Sequence, residues 1–394
     1  MHNPTIRTIT IGLEDAHPLS AAQIKQAADK LERARARFGE AGYEVQTVRI
    51  STRPLFDDLG DWSASRLLDY ARELQRTLAE AGLGYCSLGP AQAARPDFPL
   101  QHIELIPDLL MASSSSNLTV QLADQEHGVR QEAALPTARA ILRLAHETAE
   151  GFGNFNFAAL ACVAPGTPFF PAAYHSGPAS LALGLQGAGI VRDVAEAWRA
   201  SGDQIPLSLD QISERVRKAL EEQARPAVKL GQALAEEAGL AFGGIDLSPA
   251  PMGAESIGAA LEAFGYGTIG SSGTLALTAA LTRALKSTAL PTCGYCGLML
   301  PVLEDTILGQ RWAEGRVSAH ELLLYSTVCG TGLDTIPLPG DTSAEEIARL
   351  LLDVATLAWR LNKPLSARLF PVPGKRAGEA TTFSSPYLTN TLLR

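Results

Sequence analysis

Short apolar runs alternate with longer amphipathic segments along most of the chain. The run from Ile6 to Leu13 is β-branched and predicts a strand, and apolar residues at helical spacing follow from Ser20 to Phe38. The same pair returns as a predicted strand at Glu44–Ile50 and a predicted helix at Ser63–Ala81. Ser20 is placed to cap the first helix, because its oxygen can accept a hydrogen bond from a first-turn amide. Repeated β-α pairs are typical of parallel strands inside a helical shell.

The alternation continues to the end of the chain and gives roughly ten strand candidates, more than the eight of the common α/β barrel. The further predicted strands are Gly84–Leu88, Asn117–Leu122, Asn156–Val163, Leu181–Leu185, Gly244–Leu247, Leu298–Val302, Tyr325–Cys329 and Leu365–Phe370. The further predicted helices are Pro136–Thr148, Val191–Arg199, Leu209–Ala238, Glu255–Phe264, Leu275–Leu285, Glu304–Ala313, His320–Tyr325 and Thr342–Leu361. No low-complexity linker divides the sequence, so we expect one α/β domain over residues 1–394, with 371–394 as an extended tail.

Composition and charge narrow the function classes. Apolar residues make up 46% of the 394 residues and charged residues 19%, which is typical of a soluble globular protein. A net charge of −9 argues against a nucleic-acid partner, because phosphate backbones are held by clustered Lys and Arg. No apolar run reaches the length of about 18 residues that a membrane span needs. With no secretory signal and five cysteines without disulfide-framework spacing, we expect a cytoplasmic protein; homo-oligomer formation stays open.

A cysteine lies in a glycine-rich loop near the end of the chain. Cys329 is followed by Gly330, Thr331 and Gly332, and Asp334 comes five residues after the cysteine. Glycine lets a ligand approach the backbone closely, and exposed amides favour the reactive thiolate. The loop therefore predicts a catalytic Cys329 with Asp334 nearby and an anion held at residues 330–332. Asp334 works against the thiolate unless it pairs with a cation such as Lys375 or Arg368. The alternative is a buried cysteine at a tight turn.

Two further turns have free amides at predicted helix starts. The first contains Gly187 and Gly189, and the second contains Ser271, Ser272 and Thr274. Neither matches a nucleotide-binding fingerprint or a nucleophile elbow, but helix N-termini hold carboxylates and phosphates. We therefore predict ligand-binding roles for these five residues, against the alternative of plain packing and helix capping.

Three other groups carry possible chemistry. Glu304 stands at a predicted strand end, and His175 lies in an apolar loop rich in proline, so both are candidates for acid–base catalysis. Cys293 and Cys296 form a C-x-x-C pair without a second pair nearby, which favours a structural role. Asp246, Glu255 and Glu304 are candidate metal ligands, although no spacing requires a metal.

Several motifs together resemble one known family. They are Asp246–Pro251, Gly297–Asp305, the Cys329 loop and Pro371–Lys375, with similar runs at Ile6–Thr10 and Ala161–His175. The sequence resembles the DUF711 proteins, also called UPF0210 or PFL family proteins. The resemblance implies a ten-stranded α/β barrel with the helices outside, similar to pyruvate formate-lyase and anaerobic ribonucleotide reductase. In those relatives a cysteine loop meets a glycyl radical at the centre of the barrel.

Two features depart from those radical enzymes. The chain has no pair of adjacent cysteines, and its tail from Phe370 has no glycyl-radical segment of the arginine-valine-x-glycine-tyrosine type. We therefore expect no glycyl radical.

The leading hypothesis is a cytoplasmic enzyme that acts on a small anionic metabolite in a central barrel pocket. Cys329 would assist a lyase or acyl-transfer reaction, and Asp334, His175 or Glu304 would move protons. The alternatives are a metabolite-binding protein without catalysis and a metal-dependent protein. The sequence names no cofactor.

Overall fold

The computed structural model describes residues 3–201, 207–252 and 255–394 as a mixed α/β protein built on one ten-stranded sheet. The strands are Ile6–Gly12 (β1), Val45–Ser51 (β2), Cys86–Ala91 (β3), Ser116–Asp124 (β4), Gly128–Val129 (β5), Phe157–Ala161 (β6), Ser180–Leu185 (β7), Ala241–Asp246 (β8), Gly332–Pro339 (β9) and Leu365–Val372 (β10). The helices are Ala21–Glu40 (α1), Leu55–Leu59 (α2), Ala64–Glu80 (α3), Gln101–Ala112 (α4), Ala134–Glu147 (α5), Ala188–Ala200 (α6), Leu209–Glu237 (α7), Ile257–Ala263 (α8), Thr274–Lys286 (α9), Thr306–Ala313 (α10), Ala319–Tyr325 (α11) and Ala344–Leu361 (α12). Shorter 3₁₀ segments are Gln131–Ala133, Ala149–Asn156 and Val302–Glu304.

The sheet consists of a central block of parallel strands with a pair of strands on each side that runs in the opposite direction. Its order is β8-β7-β1-β2-β3-β4-β6-β10-β9, and the short β5 pairs with β4. Strands β1, β2, β3, β4 and β6 run parallel to one another. Strand β7 is antiparallel to β1 and parallel to β8, while β10 is antiparallel to β6 and parallel to β9. The two edges are therefore β8 and β9.

No continuous ladder joins β8 to β9 within the described part of the chain, but residues 291–301, here called the edge segment, bond to both strands. On the β8 side, Ile245 N donates to Pro291 O at 2.9 Å and Cys293 N donates to Ile245 O at 3.1 Å. On the other side, Gly330 N donates to Leu298 O at 2.9 Å just before β9, and Pro301 forms a parallel bridge with Asp334. The edge segment therefore lies between the two edges of the sheet.

Amphipathic helices cover the outer face of the sheet. Helix α1 packs on β1 and β2, α7 on β7 and β8, and α12 on β4, β6 and β10. Ser20 caps α1 as predicted: its Oγ accepts from Gln23 N, and the Gln23 side chain accepts from Ser20 N. Ile24 and Leu31 on the buried face of α1 join the main apolar core. No helix in the described ranges is long and apolar enough to cross a membrane.

The inner face of the sheet is polar. Thr8 and Thr10 of β1 lie beside Thr47 and Arg49 of β2, and neighbouring residues in register point to the same face. The alternate positions, such as Ile9 and Ile11, belong to the main apolar core under the helices. The inner face is nevertheless buried, because residues 162–179, here called the inner loop, cover part of it. Thr10 Oγ1, for example, donates to Pro168 O at 3.2 Å.

The α/β class and most predicted elements are confirmed, but two predicted strands are wrong. Residues 325–329 do not form a strand: α11 ends at Tyr325, and Cys329 N donates back to Tyr325 O at 2.7 Å in a turn. A capping box formed by Ser318 and Glu321 stabilises the start of helix α11, in agreement with the helix predicted at His320–Tyr325. Residues 298–302 make a single bridge at Pro301 rather than a strand, since proline has no amide to donate to a ladder. Helices α2 and α4 were not predicted.

The C-terminal tail packs on a small apolar core of its own. Phe383, Leu388 and Leu393 are buried against Leu303 and Phe370. A backbone hydrogen bond from Thr389 N to Leu303 O at 2.6 Å ties the tail to the segment before α10. The tail is therefore held by apolar contacts as well as by backbone bonds.

We expect Leu393→Ala to lower the free energy of unfolding by about 2–5 kcal/mol, because a fully buried leucine is replaced by a cavity. Leu324→Ala is the matched control: Leu324 is 52% exposed, so the same change should cost less than about 0.5 kcal/mol. Urea unfolding of both variants measures the difference. Equal small losses would show that the tail does not contribute to the fold.

Candidate functional site

A cavity lies on the inner face of the sheet, beside the amino-terminal ends of the parallel strands. The cavity volume, taken as the space open to the centre of a water-sized sphere, is about 80 Å³. Polar side chains of five strands line it, among them Arg7 on β1, Arg49 on β2, Asn117 on β4, Asp334 on β9 and Arg368 on β10. Phe169 and Phe170 of the inner loop and Tyr295 and Met299 of the edge segment form other parts of its wall. The cavity is therefore enclosed by sheet, inner loop and edge segment together.

An ion cluster forms one wall of the cavity. Arg368 Nε donates to Asp334 Oδ1 at 2.8 Å, and Arg368 Nη2 also binds Glu304. Arg7 Nη2 lies 3.6 Å from the other oxygen of Glu304. Burial raises the pKa of Asp334, and the Arg368 charge opposes that rise. Burial opposes the charge on Arg368, but the two carboxylates outweigh it and raise the pKa of Arg368. Arg368 is therefore firmly charged and neutralises one of its two partners.

Arg49 is a buried cation without a carboxylate partner among the described residues. Its Nε donates to Thr47 Oγ1 at 2.9 Å, and its guanidinium carbon lies 5.0 Å from the Tyr85 ring centre and 4.9 Å from that of Phe170. Burial, and then the positive charge of Arg7, lower the pKa of Arg49 to about 9, which leaves it charged at neutral pH. A buried cation is costly unless an anion compensates it. The cavity walls therefore carry three arginines against two carboxylates.

Neutral polar atoms also face this cavity without hydrogen bonds from the described protein. Asn156 Nδ2 donates to Ser114 O at 3.2 Å, so Asn156 Oδ1 accepts from Asn117 Nδ2 at 3.3 Å. This chain fixes the Asn117 amide, and its Oδ1 is buried without a donor. Gln46 Oε1 and Thr331 Oγ1 are buried without partners in the same lining. Buried polar atoms normally have partners, so this set is suited to bind a ligand that donates hydrogen bonds.

The structure brings together three of the site residues predicted from sequence. Glu304, Asp334 and Thr331 all line the cavity. Arg368, one of the two cations expected to neutralise Asp334, does pair with it. The acid–base and ligand-binding roles assigned to these residues remain predictions.

Cys329 and its glycines lie next to the cavity but not in its lining. Cys329 is 1% exposed and belongs to the main apolar core. Gly330 and Gly297 pack backbone to backbone: a Cβ on Gly330 would lie 2.3 Å from Gly297 Cα. The Gly330 amide is already used by Leu298 O, and Gly332 adopts a positive φ of 95° beside Ser366. In this structure the glycines allow close packing of the edge segment.

His175 and the two glycine or serine turns lie away from the cavity. His175 packs against Gly12, its Nε2 lies 3.0 Å from Pro178 O, and burial lowers its pKa. At the start of α6, a Cβ on Gly189 would lie 2.9 Å from Glu255 Oε1, so a carboxylate of the protein already occupies the space beside the turn of Gly187 and Gly189.

The hydroxyls at the start of α9 are used locally. Ser271 Oγ donates to Thr268 O at 2.6 Å and Thr274 Oγ1 accepts from Gly270 N at 3.2 Å, while Ser272 is exposed. These turns have structural partners in place, and their predicted ligand-binding roles stay predictions.

The three candidate metal ligands serve separate places in the fold. Asp246 accepts from Tyr295 N at 2.8 Å and Cys296 N at 3.1 Å, which holds the edge segment against β8. Glu255 accepts from Gln186 Nε2 at 2.8 Å, and Glu304 belongs to the ion cluster. Across residues 3–201, 207–252 and 255–394, no three His, Cys, Asp or Glu side chains come together as a metal-binding group.

Sequence reasoning missed Arg7 and Arg49 and the polar inner face. The signal is visible in β2, where Thr47, Arg49 and Ser51 occupy alternate positions of a strand that should be covered on both faces. Strands covered on both faces normally read as nearly continuous apolar runs. A polar residue at every second position of such a strand therefore indicates a buried polar face.

Comparison with known proteins identifies the family. The family model described as "Uncharacterised ACR (DUF711)" matches residues 1–384, so the chain belongs to this family, as the sequence resemblance predicted. A UPF0210 protein of Desulforudis audaxviator is 30% identical over 97% of this chain and 88% of its own length. A UPF0210 protein of Pyrobaculum arsenaticum is 29% identical over 91% of this chain and 79% of its own length.

We expect Arg368→Met to lower the free energy of unfolding by about 3–5 kcal/mol near pH 8, because Asp334 and Glu304 would stay buried without their shared partner. Without Arg368 the pKa of Asp334 should rise further above its unfolded value. The folded variant then binds a proton at Asp334 more tightly than the unfolded chain does. The loss in free energy of unfolding should therefore shrink as the pH falls towards about 5. Urea unfolding across pH measures this, with Arg139→Met, an exposed arginine, as control. A loss that does not depend on pH would contradict the charge argument.

Proposed function

We propose that the protein binds a small anionic metabolite in the inner cavity and catalyses proton transfer on it. The observation that carries the proposal is Arg49, a buried guanidinium that faces the cavity and pairs with no carboxylate in the described chain. A carboxylate or phosphate of the ligand would supply the missing charge, since arginine binds both as a two-pronged donor.

We propose that the sheet forms a ten-stranded barrel that the edge segment closes. Two observations support closure: the edge segment bonds to both β8 and β9, and Tyr295 and Met299 of that segment line the cavity. The parallel pairs β7–β8 and β9–β10 each run antiparallel to the central block, which also suits two halves that meet at a common axis.

The partnerless atoms narrow the class of ligand. Asn117 Oδ1 and Gln46 Oε1 can only accept hydrogen bonds, so the ligand should carry hydroxyl or amino donors besides its anionic group. A hydroxy acid or a sugar phosphate has this combination. A simple carboxylate would leave both acceptors unsatisfied, which costs about 1–3 kcal/mol for each buried group.

Asp334 and Glu304 are the candidate acid and base. They share Arg368, and Arg7 also lies beside Glu304; burial raises the pKa of Asp334, which favours Asp334 as the group that holds a proton. A lyase-type elimination from a hydroxy acid needs this kind of proton transfer. Cys329 receives no part in the proposal, because it does not line the cavity. A binding protein without catalysis is the second candidate, supported by the fact that both carboxylates already bind Arg368.

The binding step is tested by thermal unfolding with matched anions: lactate against propionate, and glycerol 3-phosphate against propyl phosphate. The hydroxylated member of each pair should raise the melting temperature more, since a ligand at about 100 times its dissociation constant adds about 2.7 kcal/mol. Arg49→Met should abolish the ligand-induced rise, while Arg139→Met should keep it. A rise of the same size in Arg49→Met would exclude Arg49 as the anion site.

The catalytic step is tested with a ligand that passes the first test. In D₂O, nuclear magnetic resonance should show deuterium entering a carbon position of the ligand in the presence of the protein. Asp334→Asn should slow this exchange by at least about 100-fold, because a general base contributes about 10²–10⁴-fold. Binding that persists with no exchange in the unmodified protein would instead support the second candidate, a binding protein.

A further inference from the structure

A second recess opens at the other end of the same strands. The inner cavity touches β4 at Asn117 and β6 at Ala158, near their starts. The recess is lined by Gln92, Asp124 and Cys162, which end or directly follow β3, β4 and β6. Ligands of both open α/β sheets and α/β barrels commonly bind at the carboxyl ends of the parallel strands, which is the location of this recess.

Cys162 is a partly exposed thiol in an unusual backbone conformation. Its φ is 56°, in the left-handed region that a residue other than glycine rarely adopts, and its amide donates to Ala123 O at 2.8 Å. Gln125 Nε2 donates to its Sγ at 3.2 Å. Burial raises the pKa of Cys162, so at neutral pH it is a thiol that needs a base to become a nucleophile.

A histidine and a carboxylate line the same recess. His127 Nδ1 lies 3.0 Å from Asp124 Oδ2, and Asp124 Oδ1 is held by the amides of Glu126 at 2.9 Å and His127 at 2.6 Å. A carboxylate at Nδ1 fixes the proton there and leaves Nε2 to accept another. The closest carboxylate oxygen to Nε2 is Glu126 Oε1 at 4.0 Å. The hydrogen bond with Asp124 raises the pKa of His127; the other charged groups facing it are Glu126 and Arg95.

An independent feature of the recess points to a ligand. Gln121 is 4% exposed and lines the recess. Its Nε2 donates to Val163 O at 2.9 Å, which fixes the amide, and its Oε1 accepts no hydrogen bond from the described residues. A buried acceptor in this position is suited to an N–H or O–H group of a bound molecule.

We propose that this recess is a second, thiol-dependent site, at which Cys162 attacks an acyl thioester, His127 accepts the thiol proton and Asp124 positions His127. The Cys162 Sγ–carbonyl carbon bond forms as the carbon–sulfur bond of the thioester breaks. The proton passes from Cys162 to His127 Nε2 and then to the departing thiolate, which leaves as a thiol. No oxidant or reductant is needed. The order of a nucleophile, a base and a residue that orients the base follows the general logic of nucleophilic catalysis.

The test uses the full chain and two probes, iodoacetamide for thiol reactivity and S-phenyl thioacetate for acyl transfer. At neutral pH both should modify Cys162 faster than Cys293, the other partly exposed cysteine, as read by peptide mass spectrometry. His127→Gln should slow both reactions at Cys162 at least about tenfold, because a general base contributes about 10²–10⁴-fold. His146→Gln, an exposed histidine outside the recess, is the matched control and should leave both rates within about twofold.

A second variant and the pH profile separate chemistry from folding. Asp124→Asn should also slow both probes and should move the pH at which Cys162 reactivity reaches half its maximum, which a purely structural change would not do. Thermal unfolding confirms that each variant is folded. Equal rates in the unmodified protein and in His127→Gln, or acetyl transfer mainly to Cys293, would overturn the proposal. Neither result would bear on the inner cavity, since its ligand-binding test does not involve Cys162.

Discussion

Two carboxylates and three arginines are buried on the inner face of this sheet, and the arrangement of the strands depends on compensating their charges. Arg368 on β10 holds Asp334 on β9 and Glu304 in the segment before α10, and Arg7 on β1 approaches Glu304 from another part of the sheet. A single charge left unpaired at such depth costs several kcal/mol. The cluster therefore links elements far apart in the strand order.

The same constraint leaves the cavity with one more positive than negative charge in its walls. Arg368 alone cannot balance both Asp334 and Glu304, so the charge of Arg7 is needed to neutralise the cluster. Arg49 then remains as an uncompensated cation. Aromatic rings of Tyr85 and Phe170 lie near its guanidinium and offset part of its cost, because a buried contact of this kind supplies about 2 kcal/mol or more, but burial of an unpaired charge costs more than that. The remaining deficit is what an anionic ligand would remove. The proposed preference for an anion rests on this balance of buried charges.

Local patterns in the sequence were sufficient to predict the helices that bury one apolar face. Helix α1 was predicted with its Ser20 cap, because capping and periodicity are local properties. The helix predicted at His320–Tyr325 is confirmed, but the strand predicted at Tyr325–Cys329 is wrong, because the Cys329 amide bonds back to Tyr325 O in a turn that follows the helix. The site was only partly predictable. Glu304 and Asp334 followed from strand ends and loops, whereas Arg49 lies within a strand and gains its meaning from residues distant in sequence.

The cysteines show that a flanking motif does not by itself reveal how exposed a thiol is. Cys329 drew attention because glycines flank it, yet Gly330 packs so closely on Gly297 that the loop is closed rather than open, and the thiol is 1% exposed. Cys162 has no such flanking motif. His127 and Asp124, which line the same recess, come from the hairpin of β4 and β5, which parallel pairing of β4 with β6 places beside the end of β6. Reactivity depends on a base and on access. Strand pairing rather than residue spacing brings a candidate base into the recess of Cys162, and the proposed reactivity of Cys162 rests on this.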